Sequence, residues 1–179
     1  MAKHTTIISI IIIIFAILGA LYFFSRPSTL STRGGGEDFS LAIPIVGAQH
    51  IPVGSPLPQY NSNPPSSGPH YPQTARSGFR TEAIPDQYLI HNLEHGDVWI
   101  AYHPRISDEA KSALRRFGAA KVVITPREAN DTDIALVAWG RLDTFDLEGG
   151  AVPEVRIADF IAAYEGQGPE RVLGASGGI

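Results

Sequence analysis

Asp86-Gln87-Tyr88-Leu89-Ile90-His91-Asn92-Leu93-Glu94-His95-Gly96-Asp97-Val98-Trp99-Ile100-Ala101-Tyr102-His103 is the stretch on which both the fold and the chemistry of this chain turn. Its second half, 97–103, is rich in β-branched and aromatic residues and predicts a strand. The first half has two readings. Asp86 can cap a helix that runs through His95 and stops at Gly96. Alternatively, Tyr88-Leu89-Ile90 forms a strand that turns across 92–96 into the strand beginning at Asp97. The strand-and-turn reading is preferred, because the helix would be short and Ile90 precedes a turn-rich string. The same residues spell H-x-x-E-H. A spacing of four puts both imidazoles on one side of a helix, or side by side on a tight turn. On an extended strand they would lie about 13 Å apart, at ~3.3 Å per residue, too far to share one ion. The motif therefore points to metal only where the backbone is folded.

Downstream, 121–125 and 134–139 are also β-rich. Between 103 and 121 a helix is expected, with Ser107 as N-cap, Asp108 and Glu109 in its first turn, Arg115 and Arg116 near its end, and Gly118 as its stop. A last helix is expected over 155–165, with Ile157, Phe160, Ile161 and Tyr164 on one face and Gly166 beyond it. The fold class is α+β: a small antiparallel or mixed sheet with two main helices packed against it. Trp99 and Trp139 are expected in the core. Upstream, Pro52, Pro56, Pro58, Pro64, Pro65, Pro69 and Pro72 forbid regular helix and allow edge strand at most. That proline-rich region is read as an ordered coil wrapped on the core and pinned by Tyr60, Tyr71 and Phe79, rather than as a polyproline ligand.

Residues 5–24 carry no charge, a length that spans ~30 Å of hydrocarbon. We expect an N-terminal transmembrane signal anchor over 1–25, in preference to a cleaved signal peptide or a pilin-type leader. With Lys3 before the run and Arg26 and Arg33 after it, the flanking charge only weakly sets orientation. The reading adopted is a single-pass membrane protein with its N-terminus inside. A polar linker over 26–40 is followed by a single extracytoplasmic domain over 41–179, whose glycine-rich end from 174 is expected to fray. A net charge of -4 and the absence of any Lys/Arg stripe argue against nucleic acid. Zero cysteines exclude disulfides and every thiolate metal site.

Tyr60-Asn61-Ser62-Asn63-Pro64-Pro65-Ser66-Ser67-Gly68-Pro69-His70-Tyr71-Pro72 and His91-Asn92-Leu93-Glu94-His95-Gly96, with Ala138-Trp139-Gly140-Arg141 and the 160–164 helix, resemble a family of uncharacterised membrane-anchored bacterial proteins, a domain of unknown function. The likeness runs from about Gly47 to Tyr164. It implies one extracytoplasmic domain behind a transmembrane helix. It also implies His50, His70, His91, Glu94 and His95 as the motif positions, with His103 less typical, and it supplies no substrate.

Neutral imidazoles suit Zn²⁺, Cu²⁺ and other late first-row ions. His91 and His95 form one candidate pair, His70 on its Pro/Gly-rich turn is the best third ligand, and His50 is the fourth. Glu94 can complete the shell, orient an imidazole, or act as general base to a metal-bound water. With a single methionine and no cysteine, Cu(I) is disfavoured. Three functions remain open. The preferred one is a non-catalytic metal site, structural or used in metal handling. The others are a protein-binding module at the bacterial envelope that takes no metal, and a metal-dependent hydrolase using Glu94. The hydrolase ranks low because inverted zinc peptidases carry these letters on a long helix, with a further carboxylate ligand from a second helix.

Overall fold

Side-chain alternation along four buried strands builds the sheet that carries the site. The computed structural model describes residues 36–170 and Gly178. The expected membrane segment over 1–25, most of the expected linker and nearly all of the glycine-rich end lie outside the described residues. No helix among the described residues is long and apolar enough to cross a membrane. The strands are β1 (Leu41–Ala42), β2 (Gly78–Phe79), β3 (Val98–Tyr102), β4 (Val122–Pro126), β5 (Ile134–Ala138) and β6 (Arg141–Phe145). They form one six-stranded sheet in the order β1-β6-β5-β3-β4-β2. The sheet is mixed: β3 pairs parallel with β4 and antiparallel with β5, and β2 pairs parallel with β4.

All five residues of β3 are buried, and successive ones serve opposite faces. Val98, Ile100 and Tyr102 join Val122, Ile124, Ile134 and Leu136 on one side, against α2 (Asp108–Leu114) and α3 (Glu154–Tyr164). Trp99 and Ala101 join Val123, Ala135 and Val137 on the other, under Leu89 and Leu93 of α1 (Asp86–Glu94). The Trp99 indole donates to Thr125 Oγ1 at 2.9 Å, so its burial leaves no orphaned donor. Trp139 is only partly buried, packed against the second of these clusters. In α2 Ser107 caps as expected, its Oγ accepting from Ala110 N at 3.2 Å. The α-helix ends at Leu114, and Arg115–Phe117 continue it as a 3₁₀ turn. In α3, Ile157 and Phe160 are buried, with Ile161 and Tyr164 packed beside them. Just before β1, Ser40 Oγ hydrogen-bonds the Tyr164 hydroxyl at 2.9 Å, which ties the end of the stretch read as linker to α3.

The preferred reading of 86–96 is overturned: α1 is a nine-residue helix, not a strand and turn, so among the described residues the sheet carries three α-helices rather than two. Seven of its residues are buried. The polar side, His91, Asn92 and Glu94, faces protein, so the apolar stripe that marks a surface helix is lost from the sequence. Asp86 is the first helical residue rather than the cap, and its carboxylate takes a two-pronged contact from Arg127, at 3.0 and 2.9 Å. The short strands β1 and β2, and β6 after the Trp139-Gly140 turn, were not anticipated. In β6 a buried acid, Asp143, hides the alternation; Arg156 pairs with both of its oxygens.

The proline-rich stretch 52–72 holds no helix and no strand of the sheet. It is held by hydrogen bonds instead: Tyr60 Oη donates to Pro69 O at 2.8 Å, and Asn63 Nδ2 to Ala129 O at 2.7 Å. Tyr71 is buried edge-on to Tyr88 of α1, 4.9 Å between ring centres.

Candidate metal centre

Two segments far apart in sequence bring the histidines together. Near its start the coil runs beside itself: Ile51 N donates to His70 O at 2.8 Å and His70 N to Gln49 O at 3.0 Å. This parallel bridge sets His50 beside His70. Both lie over α1, whose last turn carries His91 and Glu94, with His95 immediately after it. Ring centres are 5.0 Å apart for His50–His70, 4.8 Å for His50–His91 and 5.0 Å for His70–His91. The His91 and His95 rings, one helical turn apart, lie 4.5 Å apart. Thus the structure brings together all five residues nominated from sequence. His103 lies apart from them, its Nδ1 accepting from Arg105 N at 3.1 Å.

Hydrogen bonds fix which nitrogens are available. His70 Nδ1 is 2.8 Å from Gly68 O, and His91 Nδ1 is 2.9 Å from Tyr71 O. A carbonyl only accepts, so both Nδ1 atoms carry hydrogen and donate, and in the neutral rings both Nε2 atoms present lone pairs. His70 Nε2 then faces Glu94 Oε2 at 3.0 Å, and His91 Nε2 faces His95 Nε2 at 3.1 Å. An imidazole lone pair set against a carboxylate calls for a proton or a cation between them. His50 Nε2 reaches the same Glu94 oxygen at 3.9 Å. The donor atoms of His50, His70, His91 and Glu94 all lie within 4.8 Å of one another. Tetrahedral zinc, with bonds of ~2.05 Å, sets its ligand atoms about 3.3 Å apart, so side-chain movements of an ångström or so close the shell. The paired Nδ1–H to carbonyl bonds are the outer tethers that metal-ligating imidazoles characteristically make. His70 is fully buried and His91 nearly so, whereas the His50 side chain is 49% exposed and forms the open rim.

Burial, and then the neighbouring His95, His70 and His50, lower the pKa of His91 to about 4, against the pull of the Tyr71 carbonyl. In the unfolded chain the ring titrates near 6.5. Below pH 6.5 the unfolded state therefore takes up a proton that the folded state refuses, and stability falls until about pH 4, then levels off. In chelator-treated protein this contributes a loss on the order of 2–3 kcal/mol across that window. Denaturant midpoints between pH 7.5 and 4 should show it. His91→Asn, whose amide can still reach Tyr71 O, should remove that part of the slope; an unchanged slope in the variant contradicts it.

One residue of the cluster escaped the sequence reading. Glu170 Oε2 is 3.4 Å from His95 Nε2, and His91, Glu94, His95 and Glu170 form a second group with donor atoms within 4.8 Å. Nothing local marks it: Gln167-Gly168-Pro169-Glu170 reads as a loop, distant in sequence from both signatures. Asn92 was likewise passed over. It is fully buried, accepts from Ala75 N at 2.7 Å and donates to Ala75 O and Asp97 Oδ2 at 2.9 and 2.8 Å, clamping the loop after His70 to the end of α1. As for the inverted-peptidase letters, α1 is short, and the extra carboxylate comes from a non-helical tail.

The family model described as "Protein of unknown function (DUF3105)" matches residues 54–177, more than half of the chain. That span holds His70, His91, Glu94, His95 and Glu170 and begins after His50. No curated protein and no solved structure matches the chain.

Proposed function

The chain belongs to the DUF3105 family of proteins of unknown function, and we propose that its domain is a divalent-metal-binding module that handles the ion rather than using it to fold. The observation that carries this is the pair of tethered imidazoles, His70 and His91, whose Nε2 lone pairs face the Glu94 carboxylate and the His95 ring within one compact set of donors. Zn²⁺ and Cu²⁺ suit such a nitrogen-rich set with one carboxylate; Cu(I) would ask for sulfur. Small domains that need zinc to fold lack an adequate apolar core. Here two apolar clusters flank the sheet, which supports an ion-handling role over a structural one. His50, half-exposed on a coil, offers a side on which an ion can enter and leave. We place the domain outside the cytoplasm behind a single membrane segment. The support for that is the uncharged run over 5–24 and the polar chain that follows it.

The test is a Zn²⁺ and Cu²⁺ titration of the chelator-stripped full chain, with elemental analysis after desalting. At least one equivalent should be retained. Free metal at a hundred times Kd should raise stability by about 2.7 kcal/mol. Protein that emerges metal-free after saturation, with an unshifted unfolding midpoint, would refute the proposal.

A further inference from the structure

The donors are too many for one ion. His91 has a single nitrogen to offer, because its Nδ1–H is bonded to Tyr71 O. It therefore serves one ion only, yet it belongs to both groups of donors. Glu94 also belongs to both, and its carboxylate has two oxygens. A tetrahedral ion takes four ligands, whereas six side chains converge here.

The outer part of the cluster is built and not a chance meeting of surface groups. The tail after α3 lies directly on the end of α1: Gly166 N donates to Gly96 O at 2.7 Å, and Glu170 N to Glu94 O at 3.0 Å. This approach requires bare backbone. Gly96 has φ +83°, and a Cβ there would sit 2.9 Å from Gly166 Cα and from Gly168 N. A Cβ on Gly168 would sit 2.2 Å from Glu94 O. The backbone thereby holds the Glu170 carboxylate at His95, while His95 and His91 set their Nε2 atoms 3.1 Å apart, close to the ~3.3 Å edge of a zinc tetrahedron.

We propose that the centre takes two divalent cations, one held by His50, His70 and Glu94 and the other by His91, His95 and Glu170, with the Glu94 carboxylate shared between them. The inner half then uses the His70 and His50 contacts to Glu94 at 3.0 and 3.9 Å, and the outer half uses the last turn of α1 and the tail. Two ions sharing a carboxylate sit ~3.5–4 Å apart, which suits a cluster this compact. The inference rests on the metal reading above, and stoichiometry separates the two.

The experiment is equilibrium dialysis of the stripped full chain against Zn²⁺ alone, with His95→Gln and Glu170→Gln beside it. Glu170 is exposed, so its amide variant should fold as the parent does. Expected are two equivalents in the parent and one in each variant. The chain loaded with two Cu²⁺ should show an electron paramagnetic signal well below two spins, from coupling across Glu94, and Glu170→Gln should show one full spin. Parent protein saturating at one equivalent, unchanged in Glu170→Gln, would overturn the second site and leave the single-ion reading standing. Two equivalents retained in both variants would overturn the assignment of His95 and Glu170. No bound zinc at all would sink both readings.

Discussion

His70→Gln should weaken zinc binding by the full chain by more than about 100-fold, since even outer-shell changes at metal sites cost ~10–100-fold. His70 is fully buried, its Nδ1–H is fixed on Gly68 O, and its Nε2 looks straight at Glu94. No other residue on the proline-rich coil can take that position, because His50 approaches from the exposed rim at 3.9 Å. Glutamine sets an amide N–H against Glu94 where the neutral imidazole sets a lone pair, so the carboxylate has a donor when the imidazole goes. Competition with a chelator of known affinity reads the loss, and circular dichroism checks the fold. His103→Gln is the control: His103 sits away from the cluster, and its loss should leave affinity alone. Equal affinity in parent and His70→Gln would show that this imidazole binds nothing.

Asn92→Asp should cost about 3–5 kcal/mol of folding stability at neutral pH, the penalty range for a buried charge without a partner. The change turns one donor, which serves Ala75 O and Asp97 Oδ2 at once, into a carboxylate oxygen that repels both. Lys121 Nζ, at 3.3 Å from Asp97 Oδ1, is already committed to that acid. Because the introduced carboxyl can donate again once protonated, the deficit relative to the parent should shrink as pH falls. Urea midpoints at pH 7 and pH 4.5 test both statements. A neutral effect at pH 7 would mean that the link between the Ala75 loop and α1 contributes little.

These predictions fall on residues whose legibility in the sequence differed sharply. β3, β4 and β5 read as short apolar runs because both faces of each strand are buried, and α3 keeps its apolar stripe because one side of it meets the core. α1 also meets the core, through Leu89 and Leu93, but its polar side is buried too and bonds to neighbouring loops through His91 and Asn92, so no exposed polar face sets the apolar one off. Those residues read as turn formers only when the loop that satisfies them is out of view. β6 was hidden in the same way by the Asp143–Arg156 pair. His50, His70, His91, Glu94 and His95 could be nominated because imidazole chemistry is carried by residue type and needs no coordinates.

From the sequence alone came the α+β class, the main strands, the wrapped proline-rich coil and the list of histidines, since these follow from periodicity, backbone restriction and side-chain chemistry. Only the tertiary structure decided that 86–94 is a helix, that the histidines meet, which ring nitrogens remain available, and that Glu170 joins them. Each of these depends on partners distant in the chain, on carbonyls at Gly68 and Tyr71 and on a glycine-paved contact at Gly96, and no local pattern of residues encodes such a meeting.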